Sequence, residues 1–493
     1  MASPYRAGVL VTILMVAVSA SASTYYIDYS AGNDSNSGTS KTSPWQHAPG
    51  MQGCTGTCAK VKPQPGDNII LKGGMTWPNA VFPWNWQWSG TSGNPIYIGV
   101  DQTWYTGSSW RRPIFDAQNL SIVGGYNLFI RALSQSWVTW DNIEMKNQAW
   151  TGTAGYATLG CGVFAGGQGI TLQHWYVHHW MHTGSAGDQF VCITGDTNSP
   201  YMGSSVLQDS VFDNSDGDGN SGSVAYAWPS ALRNVIHDVA NGILPVGQGE
   251  IAYNHIYNIQ KSFDSTVHEN AIETLISNGT YYIHNNLIHD TYGECLMIGN
   301  TNETDYVWNN VVYEGGTGNC NMIHFPQNSD PGVAMYFWNN TIVARAGNAC
   351  FYTGTFSPGW DSIAIQNNHC ITTGPLYSPT PSAKTLTIDH NVLMTPTTAG
   401  SQGYVLTEVY VYSPTSTSDG TVGQGVSLSG QAGGPLISLS SDTSYACTVD
   451  AANQVSCPAR TTNSRSNSWD VGAYQMSSTA APNPPTALTA SVN

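Results

Sequence analysis

Charge is scarce in this 493-residue chain: Asp, Glu, Lys and Arg make up 9% of it, and only 15 residues are Lys or Arg. The resulting net charge of −16 excludes nucleic acid and anionic membranes as partners, because both would be repelled. A polyanionic substrate would be repelled as well, unless a cation bridged it. Long apolar runs are also lacking. After residue 22 no stretch is apolar enough, over about 18 residues, to span a bilayer. No Cys/His spacing resembles a zinc site, which excludes thiolate-bound metal.

What the chain has instead is 52 Gly, 17 Trp and 26 Tyr, the composition of a secreted β-protein. Residues 1–22 read as an export signal: Arg6, an apolar run from Val9 to Val18, then the small-residue site Ala20-Ser21-Ala22. Ten Cys fit an oxidising compartment. Cys54 with Cys58 and Cys447 with Cys457 are expected pairs. Cys161, Cys192, Cys295, Cys320, Cys350 and Cys370 read equally well as buried thiols.

One phrase recurs along the chain. Tyr282-Ile283-His284-Asn285-Asn286-Leu287-Ile288 is repeated as Tyr306 to Val312, Tyr336 to Ile342 and Ile365 to Ile371, with weaker copies back to Trp140. The first polar positions are Asp141, His174, Asp209, Asn234, Asn254, Asn285, Asn309, Asn339, Asn367 and His390, spaced by 20 to 35 residues. Such units, each an alternating strand ending in a polar turn, bury their faces only by stacking on one another. A propeller repeats at longer intervals with four strands per blade. The expected fold is all-β: a single-domain right-handed parallel β-helix of about ten or more coils, with an amide ladder along its axis. Residues 23–475 form this domain, and 476–493 read as a Pro/Ser/Thr/Ala-rich linker or the start of a further module.

Both ends of the solenoid carry familiar phrases. Tyr25 to Asp34 followed by Gly66-Asp67-Asn68-Ile69-Ile70-Leu71, and Trp469-Asp470-Val471-Gly472-Ala473-Tyr474 near the other end, resemble the opening and closing segments of the pectate-lyase-like superfamily of secreted β-helix proteins. The resemblance implies the fold and leaves the reaction open, since this architecture hosts lyases, hydrolases, epimerases and adhesins. The aromatic insert at about 76–110, with Trp77, Trp84, Trp86, Trp88, Trp104, Tyr105 and Trp110, is expected to cap the open end, leaving one or two rings exposed for sugar.

Ionisable residues are densest between Lys261 and Glu273, which makes Glu273, His268, Glu269, Asp264 and Lys261 the catalytic candidates. Strand alternation with Ile272 inward turns Glu273 outward. Glu269 lies about 13 Å away along an extended strand. A partner carboxylate is therefore sought one coil away, at Asp238, Glu250 or, foremost, Glu294. Asp213, Asp216 and Asp218 share a Gly-rich turn suited to a hard cation, with Ca2+ the expected ion. His174, His178, His179 and His182 cluster around Trp175 and Trp180. Trp175, Trp180, His178, Arg233 and Trp228 are the expected substrate contacts. The expected protein is a secreted monomer that cleaves a polysaccharide on the solenoid flank by carboxylate/His acid–base hydrolysis. A Ca2+-dependent lyase and a non-catalytic glycan-binding protein are the alternatives.

Overall fold

The computed structural model describes residues 21–120, 128–150, 158–182, 190–196, 202–217, 222–261, 268–274, 279–299, 302–314, 332–352, 360–406, 411–429, 447–457, 465 and 469–476. Three long sheets of 13, 12 and 8 strands run along it, and every strand pairing within them is parallel. One coil shows the path. Gln248–Ala252 lies in the first sheet, His255–Ile259 in the second and Ile272–Glu273 in the third, before Gly279–His284 re-enters the first beside its predecessor. The chain is a parallel β-helix. Its closing phrase also lies where the sequence puts it, with Gly472 N–H donating to Asn367 O at 2.7 Å.

The corner between the first and second sheets is invariant. Two residues turn it in every described coil from 142–143 to 390–391. The first of each pair is left-handed, as at Asn285, Asn309, Asn339 and Asn367 with φ of 52–58°, a region Asn tolerates and β-branched residues do not. The second residue carries the ladder. Asn310 Oδ1 accepts from both the backbone N–H and Nδ2 of Asn286, each at 3.0 Å, and Asn310 Nδ2 donates to Ile283 O at 2.9 Å. The same pattern joins Asn234, Asn254, Asn286, Asn310, Asn340, Asn368 and Asn391. The ladder thus runs one residue later than the first polar position wherever two Asn adjoin. The two Asn divide the work, because the left-handed one faces segments from the C-terminal part of the chain: Asn339 Nδ2 donates to Asp470 O at 2.9 Å and Asn367 Nδ2 to Val426 O at 2.8 Å.

Earlier coils are filled by aromatics. Trp45, Trp77, Trp84, Trp86, Trp140, Trp175, Trp180 and Trp228 are all fully buried, with Trp84 edge-on to Trp140 at 5.0 Å. The segment expected to cap the end instead supplies strands to all three sheets, Thr76–Pro78, Trp84–Trp86 and Ile96–Tyr105, so Trp77, Trp84 and Trp86 are core residues, and of its rings only Tyr105 is exposed. Disulfides join Cys54–Cys58, Cys161–Cys192, Cys350–Cys370 and Cys447–Cys457, and Cys295 is also oxidised. The cysteines within the described coils are therefore bonded rather than free; Cys161 and Cys192 lie on the paired strands Thr158–Val163 and Phe190–Thr194, with Cα atoms 4.5 Å apart and within disulfide reach. Among the described residues no helix is long and apolar enough to cross a membrane.

Candidate functional site

From residue 138 onward, the connections that vary in length are those at the margins of the eight-stranded third sheet. Residue 240 alone links Val235–Val239 to Asn241–Leu244, whereas residues 260–271 separate His255–Ile259 from Ile272–Glu273. Variable loops on a constant scaffold are where binding and catalytic groups concentrate. The catalytic candidates lie here.

Glu273 pairs in register with Met297, one residue past the buried column of Ile243, Ile272 and Leu296. It faces away from the bore yet is covered. Its side chain is 6% exposed, that of His268 above it 55%. Glu273 Oε1 lies 3.1 Å from His268 Nδ1, and Oε2 accepts from Asn270 Nδ2 at 3.0 Å. A carboxylate only accepts, so Nδ1 carries the proton and Nε2 is the nitrogen turned to other partners. The hydrogen bond to Glu273 is the chief cause that raises the His268 pKa above its ordinary 6.5; Glu269 and Glu294 add to it, and burial opposes. Asn270 also accepts from Glu294 N–H at 2.8 Å, fixing the next coil against this one.

The structure thus brings together four predicted residues, His268, Glu273, Glu269 and Glu294. The role of Glu273 changes: with both oxygens engaged, it orients the imidazole rather than facing a substrate. Asn270 was missed, since a lone Asn among acids carries no distinguishing signal. Lys261 stands over the Tyr292 ring, 5.7 Å from its centroid. Asp238 and Glu250 belong to other faces, where Asp238 meets His237 at 2.7 Å and Glu250 meets His284 at 2.9 Å. Asp264, Asp218 and the His182 side chain lie outside the described residues.

No protein-family model and no curated protein matches this chain. Solved structures similar to it include a pectate lyase, with a TM-score of 0.49 at 14% identity over 92% of this chain and 97% of that one. A lacto-N-biosidase of Eubacterium ramulus gives 0.40 at 13% identity over 76% of this chain and 68% of that one. A rhamnogalacturonan lyase gives 0.38 at 14% over 75% and 87%. At these scores the fold rests on the strand register of this chain, and its chemistry on its own side chains.

Three expected substrate contacts are core residues. Trp175, Trp180 and Trp228 are at most 2% exposed and offer no face to a sugar. Each directly follows a left-handed residue: His174, His179 and Ala227, with φ of 53–56°. That kink restarts the alternation and turns the next side chain into the bore. Arg233, itself left-handed at a corner, is clamped by Asp209 through Nε at 2.7 Å and Nη2 at 2.8 Å. His174 is likewise engaged, with Asp141 at 2.7 Å.

The expected cation turn is redistributed. Asp216 meets His178 Nδ1 at 2.9 Å, while Asp213 groups with His237 and Asp238, their ligand atoms within 4.8 Å of one another. These donors are already occupied. Asp213 accepts from Ser215 N–H at 2.9 Å, and Asp238 accepts from Asn258 and from Gln260 at 3.0 Å besides meeting His237. Two engaged carboxylates and an imidazole do not fit Ca2+, which takes six to eight oxygens.

Proposed function

We propose that this protein is a secreted carbohydrate-active enzyme that hydrolyses glycosidic bonds of a polysaccharide lying along the third sheet. The observation that carries the reading is the His268–Glu273 pair: a half-exposed imidazole, held by a buried carboxylate, on the sheet whose bordering loops vary. The general logic of acid–base catalysis follows. Glu273 fixes the tautomer and favours the imidazolium. His268 Nε2 gives its proton to the departing glycosidic oxygen as the bond to the sugar carbon breaks. Glu269 or Glu294 takes a proton from the water whose oxygen forms the new bond. Three carboxylates and one lysine in this neighbourhood favour a neutral or weakly acidic glycan at the point of cleavage, and the disulfides accord with export to an oxidising compartment.

The test is a polysaccharide panel with and without added Ca2+ or chelator, read for new reducing ends and for the ultraviolet absorbance of unsaturated uronides. Reducing ends without that absorbance, lost in His268→Ala, are the expected result. Reducing ends with it would replace hydrolysis by β-elimination, and chelator sensitivity would put a cation in the reaction. Silence across the panel from folded protein would leave glycan binding as the function.

A further inference from the structure

A second concentration of chemistry lies on the outer face of the second sheet. Ser109, Trp110, Arg111, Arg112, Glu144, Tyr176 and His178 line a cleft of about 500 Å³, closed on one side by residues 451–453. Those residues belong to the Cys447–Cys457 hairpin, whose Ala452 O accepts from Arg112 Nη1 at 3.1 Å across 340 residues of sequence. The volume falls within the usual range for small-ligand sites, about 300–1,000 Å³.

The cleft is built around unused donors. Arg112 is 4% exposed; its Nε donates to His174 O at 2.9 Å and its Nη1 to the hairpin, but its Nη2 is buried with no partner. The indole Nε1 of Trp110 is likewise buried and unpartnered. Leaving such groups without acceptors costs about 1–3 kcal/mol each, more when charged. Arg111 beside them is exposed, and Lys146 stands 3.5 Å from Glu144. Three of the chain's 15 basic residues thus lie close together, in a chain whose net charge is −16.

The other walls suit a sugar ring. Tyr176 and His178 stack face to face at 4.2 Å with 12° between their planes, and line the cleft together with Trp110. Glu144, whose contact with His178 and Lys146 keeps it ionised despite burial, offers acceptors for hydroxyl groups. Guanidinium donors for a carboxylate, aromatic faces for the ring and a carboxylate for hydroxyls are the complements of a sugar acid.

We propose that this cleft binds a uronate unit, as a free sugar acid or as an acidic side group of the polysaccharide, at a site separate from the His268 pair. The carboxylate meets Arg112 Nη2 and Arg111, and the ring lies against Trp110 and the Tyr176–His178 stack. An acidic branch held here would tether the glycan to one flank while its backbone is presented on another. The proposal does not depend on any cleavage, because its readout is binding.

Calorimetry and protein-observed NMR on the full chain, titrated with glucuronate, galacturonate, their methyl esters and the neutral parent sugars, test it. The uronates are expected to bind at least about tenfold more tightly than esters or neutral sugars, the worth of one charge-assisted hydrogen bond. Binding should weaken with salt. Arg111→Gln and Trp110→Phe are each expected to weaken uronate binding, and both sites tolerate substitution without leaving a buried charge. Arg112→Gln should abolish it if that variant folds. Equal binding of neutral and acidic sugars, no binding of either, or uronate binding indifferent to Arg111→Gln and Trp110→Phe would each overturn the proposal.

Discussion

The corner between the first and second sheets and the margins of the third sheet belong to the same coils, yet they differ in almost every respect. From residue 142 onward the corner is two residues long, and its ladder amides from Asn234 to Asn368 are buried and satisfied. The margins vary in length, and there a half-exposed imidazole is held by one carboxylate with two more nearby. A stacked chain repeats its hydrogen bonds along one edge and is then free to differ along another. Buried, satisfied amides are concentrated at the first edge, and exposed ionisable groups at the second.

Substitutions at the two edges should therefore have separable consequences. The largest effect is expected from His268→Ala, which should lower turnover by about 10²–10⁴-fold while the melting temperature stays close to that of the parent. Loss of both together would mean that the third-sheet margin is also structural. Asn310→Ala should do the reverse. It strips the acceptor from two Asn286 donors and the donor from Ile283 O, at a cost of about 2–4 kcal/mol in denaturant unfolding, with activity per folded molecule retained.

A smaller loss, about 1–2 kcal/mol, is expected for Asn285→Val, which forces a β-branched residue into the left-handed region; Asn285→Gly should come within about 0.5 kcal/mol of the parent. Equal stability of the two would remove the backbone argument for the corner. The subtlest test is the pH profile. Because Glu273 raises the His268 pKa, the acid form persists above 6.5 and activity should fall as pH rises through that raised value. In Glu273→Gln the alkaline limb should move down toward 6.5. An unmoved limb would detach Glu273 from the imidazole's titration.

Much of the fold was legible because a solenoid writes its geometry as a period. The Asn285-Asn286 phrase announces a coil each time it recurs. What it does not announce is which Asn is left-handed and which is the ladder, since both are small amides at a turn. Alternation was legible only up to the next kink. Past His174 or His179 the parity restarts, so Trp175 and Trp180 look outward in sequence and are core in fact. His268 and Glu273 stood out as candidates because ionisable residues are rare enough for five of them within a short segment to be noticed, but their pairing was not legible, since alternation turned Glu273 toward the next coil. Nor was the Arg112 cleft. Its residues come from three places in the first two hundred positions and from a hairpin near position 450, joined only by stacking and by the return of the chain.

The direction of the amide ladder has a further consequence. Every link to an Asn Oδ1 points the same way: the coil already laid down donates and the coil that follows accepts, while the Nδ2 of the following Asn donates back to a strand carbonyl. Each finished turn therefore presents the same pair of waiting N–H groups to whatever chain comes next, much as the growing end of a filament presents one kind of binding face. Joints that are all alike allow whole turns to be duplicated or excised without redesigning their neighbours. Such a molecule can change its length in evolution by a simple tandem copying event.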